Sequence, residues 1–211
     1  MFKVLQTLNV LYLVAGLYAL LFDRGLISPV LLYGGVLFAV SSLYKGYALG
    51  FDTLRGKFWL IFSGFGLLGV GIFTGIHALH VLGRFFLLLA VLFMFLGVLS
   101  RGIRFTGWRA VASAGAFFVS TITVLGVHFL FGLQGWKMLI GILDVPIFTL
   151  TFMNLYAYAG SDLGKRWFAG IVAVIVYLLG DLFFLLGREG LSNGIFFLTF
   201  LITNFIAQWE D

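Results

Sequence analysis

Long apolar runs alternate along the chain with short loops that carry nearly all the charge. The runs fall at roughly 4–22, 27–44, 58–78, 84–100, 110–132, 138–158, 167–187 and 191–209. Each approaches the ~20 residues that a helix needs to cross a bilayer. They are uniformly apolar, whereas barrel strands alternate over about ten residues, so the pattern predicts helices. The expected fold is therefore all-α and integral to the membrane, with eight transmembrane helices. The fourth run is the weakest, being short and opening on Arg84.

The pattern also repeats. Asp52 and Asp162 each precede a basic cluster and a tryptophan, Lys57 with Trp59 and Lys165 with Trp167. Each then opens a run ending in glycine, and GRFFLLLAVLFMFLG (83–97) lies over GIFFLTFLITNFIAQ (194–208). The two prolines, Pro29 and Pro146, stand near the start of the second run of each half. A duplicated four-helix unit is expected, with residues 1–105 and 106–211 as the two repeats. An even number of spans per unit leaves both copies in the same orientation, as in the parallel-repeat class of membrane proteins.

Composition fits the bilayer reading. Hydrophobic residues make up 62% of the 211 residues and charged residues 10%, against about 25% charged in soluble domains. One soluble core could not hide so much apolar surface. The absence of cysteine excludes disulfides, thiolate nucleophiles and cysteine-ligated metal centres. The first run follows Lys3 like a signal peptide, but Asp23-Arg24-Gly25 follows it instead of a small-residue cleavage site, so it reads as a retained helix. The net charge of +5 is scattered through loops and gives no sign of a nucleic-acid partner.

Lysine and arginine set the orientation. With eight spans, Lys3, Lys45, Arg55, Lys57, Arg101, Arg104, Arg109, Lys165 and Arg166 share one side with both termini. Arg24, Arg84, Lys137 and Arg188 take the other. Nine against four puts both termini in the cytoplasm of a cell-membrane protein. All five tryptophans, Trp59, Trp108, Trp136, Trp167 and Trp209, fall near run boundaries, where an aromatic belt belongs.

Orientation converts position into depth at 1.5 Å per residue. Asp144 and Asp181 each lie six residues from an outer run end, about 9 Å inside the boundary. His128 lies near the outer end of the fifth run, and His77 and His80 at that of the third. Asn9, Asn154 and Asn204 fall in the inner half. An ionised carboxylate at such depth costs about 2–3 kcal/mol unless paired, protonated or hydrated, so these residues usually face the bundle interior or a wet cavity. The expected site is an outward-facing polar pocket of Asp144, Asp181 and His128, with Asn154 and Asn204 continuing inward.

Simpler roles stand beside this one. Asp144 before Pro146, and Ser28 before Pro29, resemble helix caps followed by a first-turn proline. Asp181 can bond a hydroxyl on a neighbouring helix. His128 can be packed or interfacial, and the asparagines can join helices. His77 and His80 have an i, i+3 spacing compatible with metal, although a solvated loop suits them better. No metal site and no cofactor is expected: phosphate-cradling loops, dinucleotide fingerprints and HExxH are absent, and no run contains a lysine for a retinal Schiff base.

The stretch VYLLGDLFFLLG…FLITNFIAQ resembles the end of the lysoplasmalogenase-like YhhN family over about forty residues, with Gly180-Asp181 in the late helix and Ala207-Gln208 near the end. Ser28-Pro29 resembles that family's Lys-Pro at its second helix. The resemblance implies an eight-span protein of about this length. The family's Gly-Asp of the first half stands here as Gly69-Val70, a departure that bears on its two-carboxylate chemistry.

Three function classes remain open. The first is a transporter or channel for a small solute or ion. The second is an intramembrane enzyme acting on a lipid, with Asp144 and Asp181 as acid and base. The third is a structural subunit of a membrane complex. Partners are the lipid bilayer and a solute, ion or lipid, with a homo-oligomer or a membrane-complex partner also open.

Overall fold

In the computed structural model the described residues are 2–51, 60, 63, 64, 66–68, 70, 71, 75–158, 164–188, 190–192, 194–196, 198, 199 and 202. All regular structure among them is helical. The helices with continuous bounds are α1 (Phe2–Leu21), α2 (Ile27–Leu49), α3 (His77–Ser100), α4 (Trp108–Phe131), α5 (Trp136–Tyr158) and α6 (Gly164–Leu185). Helical residues also occur between 60 and 71 and between 190 and 202. Three segments are long and apolar enough to cross a membrane: His77–Ser100, Trp108–Phe131 and Trp136–Asn154. Asp52, Trp59, Asp162, Asn204 and Trp209 lie outside the described residues, as do the side chains of Asn9, Lys165 and Arg166.

Two helix starts differ from the sequence reading. The fourth run was expected to open on Arg84, yet α3 begins at His77, about two turns earlier. Gly75 sets this boundary: its φ of +69° lies in the left-handed region, which glycine enters without steric cost, and the extended Ile76 then precedes the helix. Arg84 is thereby carried from a loop into a helix interior. The second difference concerns the caps. Pro146 lies inside the continuous helix α5, so Asp144 is a mid-helix residue and caps nothing. Proline removes one helical N–H. Hydroxyls act on nearby carbonyls instead, Thr149 Oγ1 donating to Val145 O at 2.9 Å and Thr151 Oγ1 to Ile147 O at 2.6 Å. Ser28 is likewise not the cap of α2; Leu26 precedes that helix and makes no side-chain cap bond.

Helix α3 is the central element. In its most apolar stretch 39% of residues are buried, against 17% in α4. Leu87, Ala90, Met94 and Val98 of α3 pack with Ile147 of α5, Val174 and Tyr177 of α6 and Phe196. Helix α5 packs on α3, α4 and α6, whereas α4 turns Phe117, Phe118, Ile122 and Phe129 outward. In lipid the drive for such packing is close van der Waals contact, not removal of apolar surface from water. Glycines supply it: a Cβ on Gly66 would stand 2.7 Å from Ala39 N and 2.8 Å from Gly35 O, and one on Gly83 would stand 2.8 Å from Gly64 O. Gly66 is thus packed on α2 and Gly64 on α3.

Overpacking such contacts typically costs about 1–3 kcal/mol. Gly66→Val is expected to lower thermal stability in detergent by that order. Gly126→Ala, where a Cβ meets nothing within 4 Å, should leave the unfolding temperature unchanged. Equal behaviour of the two variants would remove the close-approach role.

Candidate functional site

The site is built on α3. Positions 77, 80 and 84 follow one another up one face at the i, i+3 and i+7 spacing of a helix. His77 stays exposed and stacks on Trp136 at the start of α5, with ring centroids 3.8 Å apart. His80 is 2% exposed and lies among Trp136, Phe184 and Phe196. These histidines are therefore packed at the head of a helix, not in the solvated loop expected of them. No group of three or more potential metal ligands occurs among the described residues.

One turn further on, Arg84 is fully buried, 0% exposed. The sequence reading counted it as an outer-loop charge. Its Nε donates to Asp144 Oδ1 at 3.3 Å, its Nη2 donates to Asp181 Oδ1, and its Nη1 donates to the His80 carbonyl at 3.3 Å. The guanidinium also lies 5.5 Å from the centre of the Tyr177 ring. Helices α3, α5 and α6 thus each contribute one charged side chain to a single ion cluster. Asp144 is 7% exposed and Asp181 1%, and Asp181 Oδ2 makes no hydrogen bond among the described residues. The His80 Nε2 is also buried without one.

The two carboxylates look outward from this cluster into a groove of about 200 Å³. Helix α5 forms its floor through Asp144 and Phe148, and α4 and α6 form its walls. Val127 and Leu185 pack together with Leu133 and Ile140 to close one end. Val119, Ile175 and Leu179 on the rim are exposed. In a bilayer those positions face acyl chains, so the groove opens sideways toward lipid. Its lining is otherwise apolar apart from Ser120 and Thr123, whose hydroxyls donate to carbonyls of their own helix, Phe117 O and Val119 O.

The other sequence-selected residues sit elsewhere. His128 is not a groove residue: its Nδ1 lies 3.0 Å from Leu133 O at the end of α4, and its carbonyl accepts a bond from Gly132 N. Asn154 is buried, and its Nδ2 donates to Val91 O at 2.9 Å, tying α5 to α3. Sequence reasoning brought Asp144 and Asp181 to one depth but missed Arg84. The available signal was that a lone arginine seven residues after His77 and four after His80 was followed by unbroken apolar sequence, which invites a longer helix.

Searches against protein-family models, curated proteins and solved structures find no match to the chain. The reading of this site therefore rests on its own geometry.

Removing one partner from a buried ion cluster costs about 3–5 kcal/mol, whereas replacing the whole cluster with apolar groups is often neutral. Arg84→Met is expected to destabilise the protein by that amount in a denaturant titration. Arg84→Met combined with Asp144→Leu and Asp181→Leu should recover most of the loss. A triple variant no better than the single one would break the link.

Proposed function

We infer that the chain is a multi-pass cell-membrane protein of eight spans, with both termini cytoplasmic, that acts on a lipid entering the groove from the side. The observation that carries this reading is a groove with two acids at its base and acyl-facing residues on its rim. A lipid can reach such a site without leaving the membrane.

The chemistry follows from charge and contact. One guanidinium balances one carboxylate, so the second carboxyl holds a proton in a medium where a net charge is costly. Arg84 bonds both carboxyl groups. In this reading Asp144 bears the proton and is the acid, and Asp181 is the base. In a hydrolysis, Asp181 takes a proton from the attacking water as its oxygen bonds to the lipid. The scissile bond breaks, and its leaving oxygen takes the proton of Asp144. Arg84 and the Tyr177 ring beside it hold the two acids in register.

A transport path, the other leading expectation, would need polar groups continuing through the inner half. Asn154 donates to Val91 O within the core, and although its Oδ1 and the hydroxyls of Ser42, Ser63 and Ser113 are buried without a partner, none of these residues lines the groove. A purely structural subunit would need no groove beside its buried charges. With Arg84 and Lys45 both buried within helices, eight basic residues on the cytoplasmic side face three on the other: Arg24, Lys137 and Arg188. The four-helix duplication is retained as an architecture in which residues 1–105 supply the arginine and 106–211 both acids.

Two measurements test the reading. Proteoliposomes made with a total lipid extract should show a lipid species consumed by the wild type and spared by Asp144→Asn and Asp181→Asn. Identical lipid profiles for all three would overturn the enzyme reading. Single cysteines, introduced into a chain that has none, should react with an impermeant maleimide from outside at Lys137 and Arg188, and only after permeabilisation at Arg101 and Arg109.

A further inference from the structure

The layering of charge at this site dictates what can bind there. Arg84 is wholly buried and is not a groove residue, whereas Asp144 and Asp181 both line the groove. The carboxylates stand between the guanidinium and anything that enters. A ligand therefore meets the carboxyl groups of Asp144, 7% exposed, and Asp181, 1% exposed, before the guanidinium. Apart from the proton these acids share, no donor competes for it, since the Ser120 and Thr123 hydroxyls are spent on their own helix. Lys137, the nearest helix-borne cation on the outer side, lies over the Trp136 and Phe184 rings and does not line the groove.

Resting on the lipid-groove reading above, we propose that the groove selects an amphiphile whose polar end is a hydrogen-bond donor, neutral or cationic, and rejects anionic ends such as phosphate, sulfonate or carboxylate. The donor end approaches the Asp144–Asp181 pair, and the chain lies along Val124, Phe148, Leu178 and Leu182. A cationic end replaces the proton that otherwise balances the second acid, so an alkylamine binds with release of one proton. The groups facing that proton are Arg84 and His80 from α3, Asp144 from α5, and Tyr177 and Asp181 from α6; α4 presents only the uncharged Ser120 and Thr123. An anionic end would be held against the ionised acid with its counter-charge on the far side, and like-charge juxtaposition in a desolvated site costs several kcal/mol.

The test uses three photo-crosslinking probes of equal chain length carrying a diazirine: an alkylamine, an alkyl alcohol and an alkyl sulfonate. The full chain is placed in zwitterionic nanodiscs at neutral pH, and labelled peptides are mapped by mass spectrometry. The amine and the alcohol are expected to label residues 119–127 and 175–185 at least about tenfold more than the sulfonate. Thr123→Trp, which fills the groove without altering an acid, should abolish that labelling. Asp181→Asn should erase most of the amine-over-sulfonate preference. Equal labelling by amine and sulfonate in the wild type, or labelling that survives Thr123→Trp, would overturn the proposal. Its failure is distinct from that of the enzyme reading: sulfonate preference with lipid turnover intact refutes this inference alone, and amine preference without turnover refutes the other alone.

Discussion

A buried guanidinium held by two carboxylates is the constraint around which this protein is arranged. Arg84 has no contact with solvent, and a lone cation in hydrocarbon is costly enough that its partners must be in place whenever the bundle is assembled. Those partners come from separate helices, Asp144 on α5 and Asp181 on α6. The register of three helices is thereby coupled to one electrostatic requirement. Packing around the cluster then follows: Leu87 and Met94 one to three turns along α3, Ile147 next to Asp144, and Tyr177 one turn before Asp181 all lie in the same core.

In the sequence comparison that suggests two repeats, Gly180-Asp181 stands over Gly69-Val70. Val70 is buried and packs closely on Gly35, whose added Cβ would stand 3.0 Å from a Val70 methyl. An acid there would face an apolar helix contact with no counter-charge described beside it. Asp181 is tolerable because Arg84, from the other half, reaches it.

Function and stability draw on the same residues but ask different things of them. The inner side of the cluster, where Arg84 meets His80 O and the Tyr177 ring, is closed and structural. The outer side, where Asp144 and Asp181 border the groove, is open to the rim of Val119, Ile175 and Leu179. Pairing on the inside holds the two acids in place beside the groove.

Much of this was legible in the order of residues. Apolar length and uniformity determine that the chain is helical and suited to a membrane, because a bilayer demands internally bonded backbone over a set distance. Counting along those runs also brought Asp144 and Asp181 to one depth. Depth is a one-dimensional property, and sequence reports it. Azimuth is not. Whether Arg84 belonged to a loop or a helix turned on the backbone at Gly75, and whether His128 faced the acids turned on the rotation of α4 against α5. His128 bonds Leu133 O instead. Only the packed helices decided which charges meet, because the partner of a buried charge is chosen by three-dimensional proximity across elements 60 and 97 residues apart in sequence.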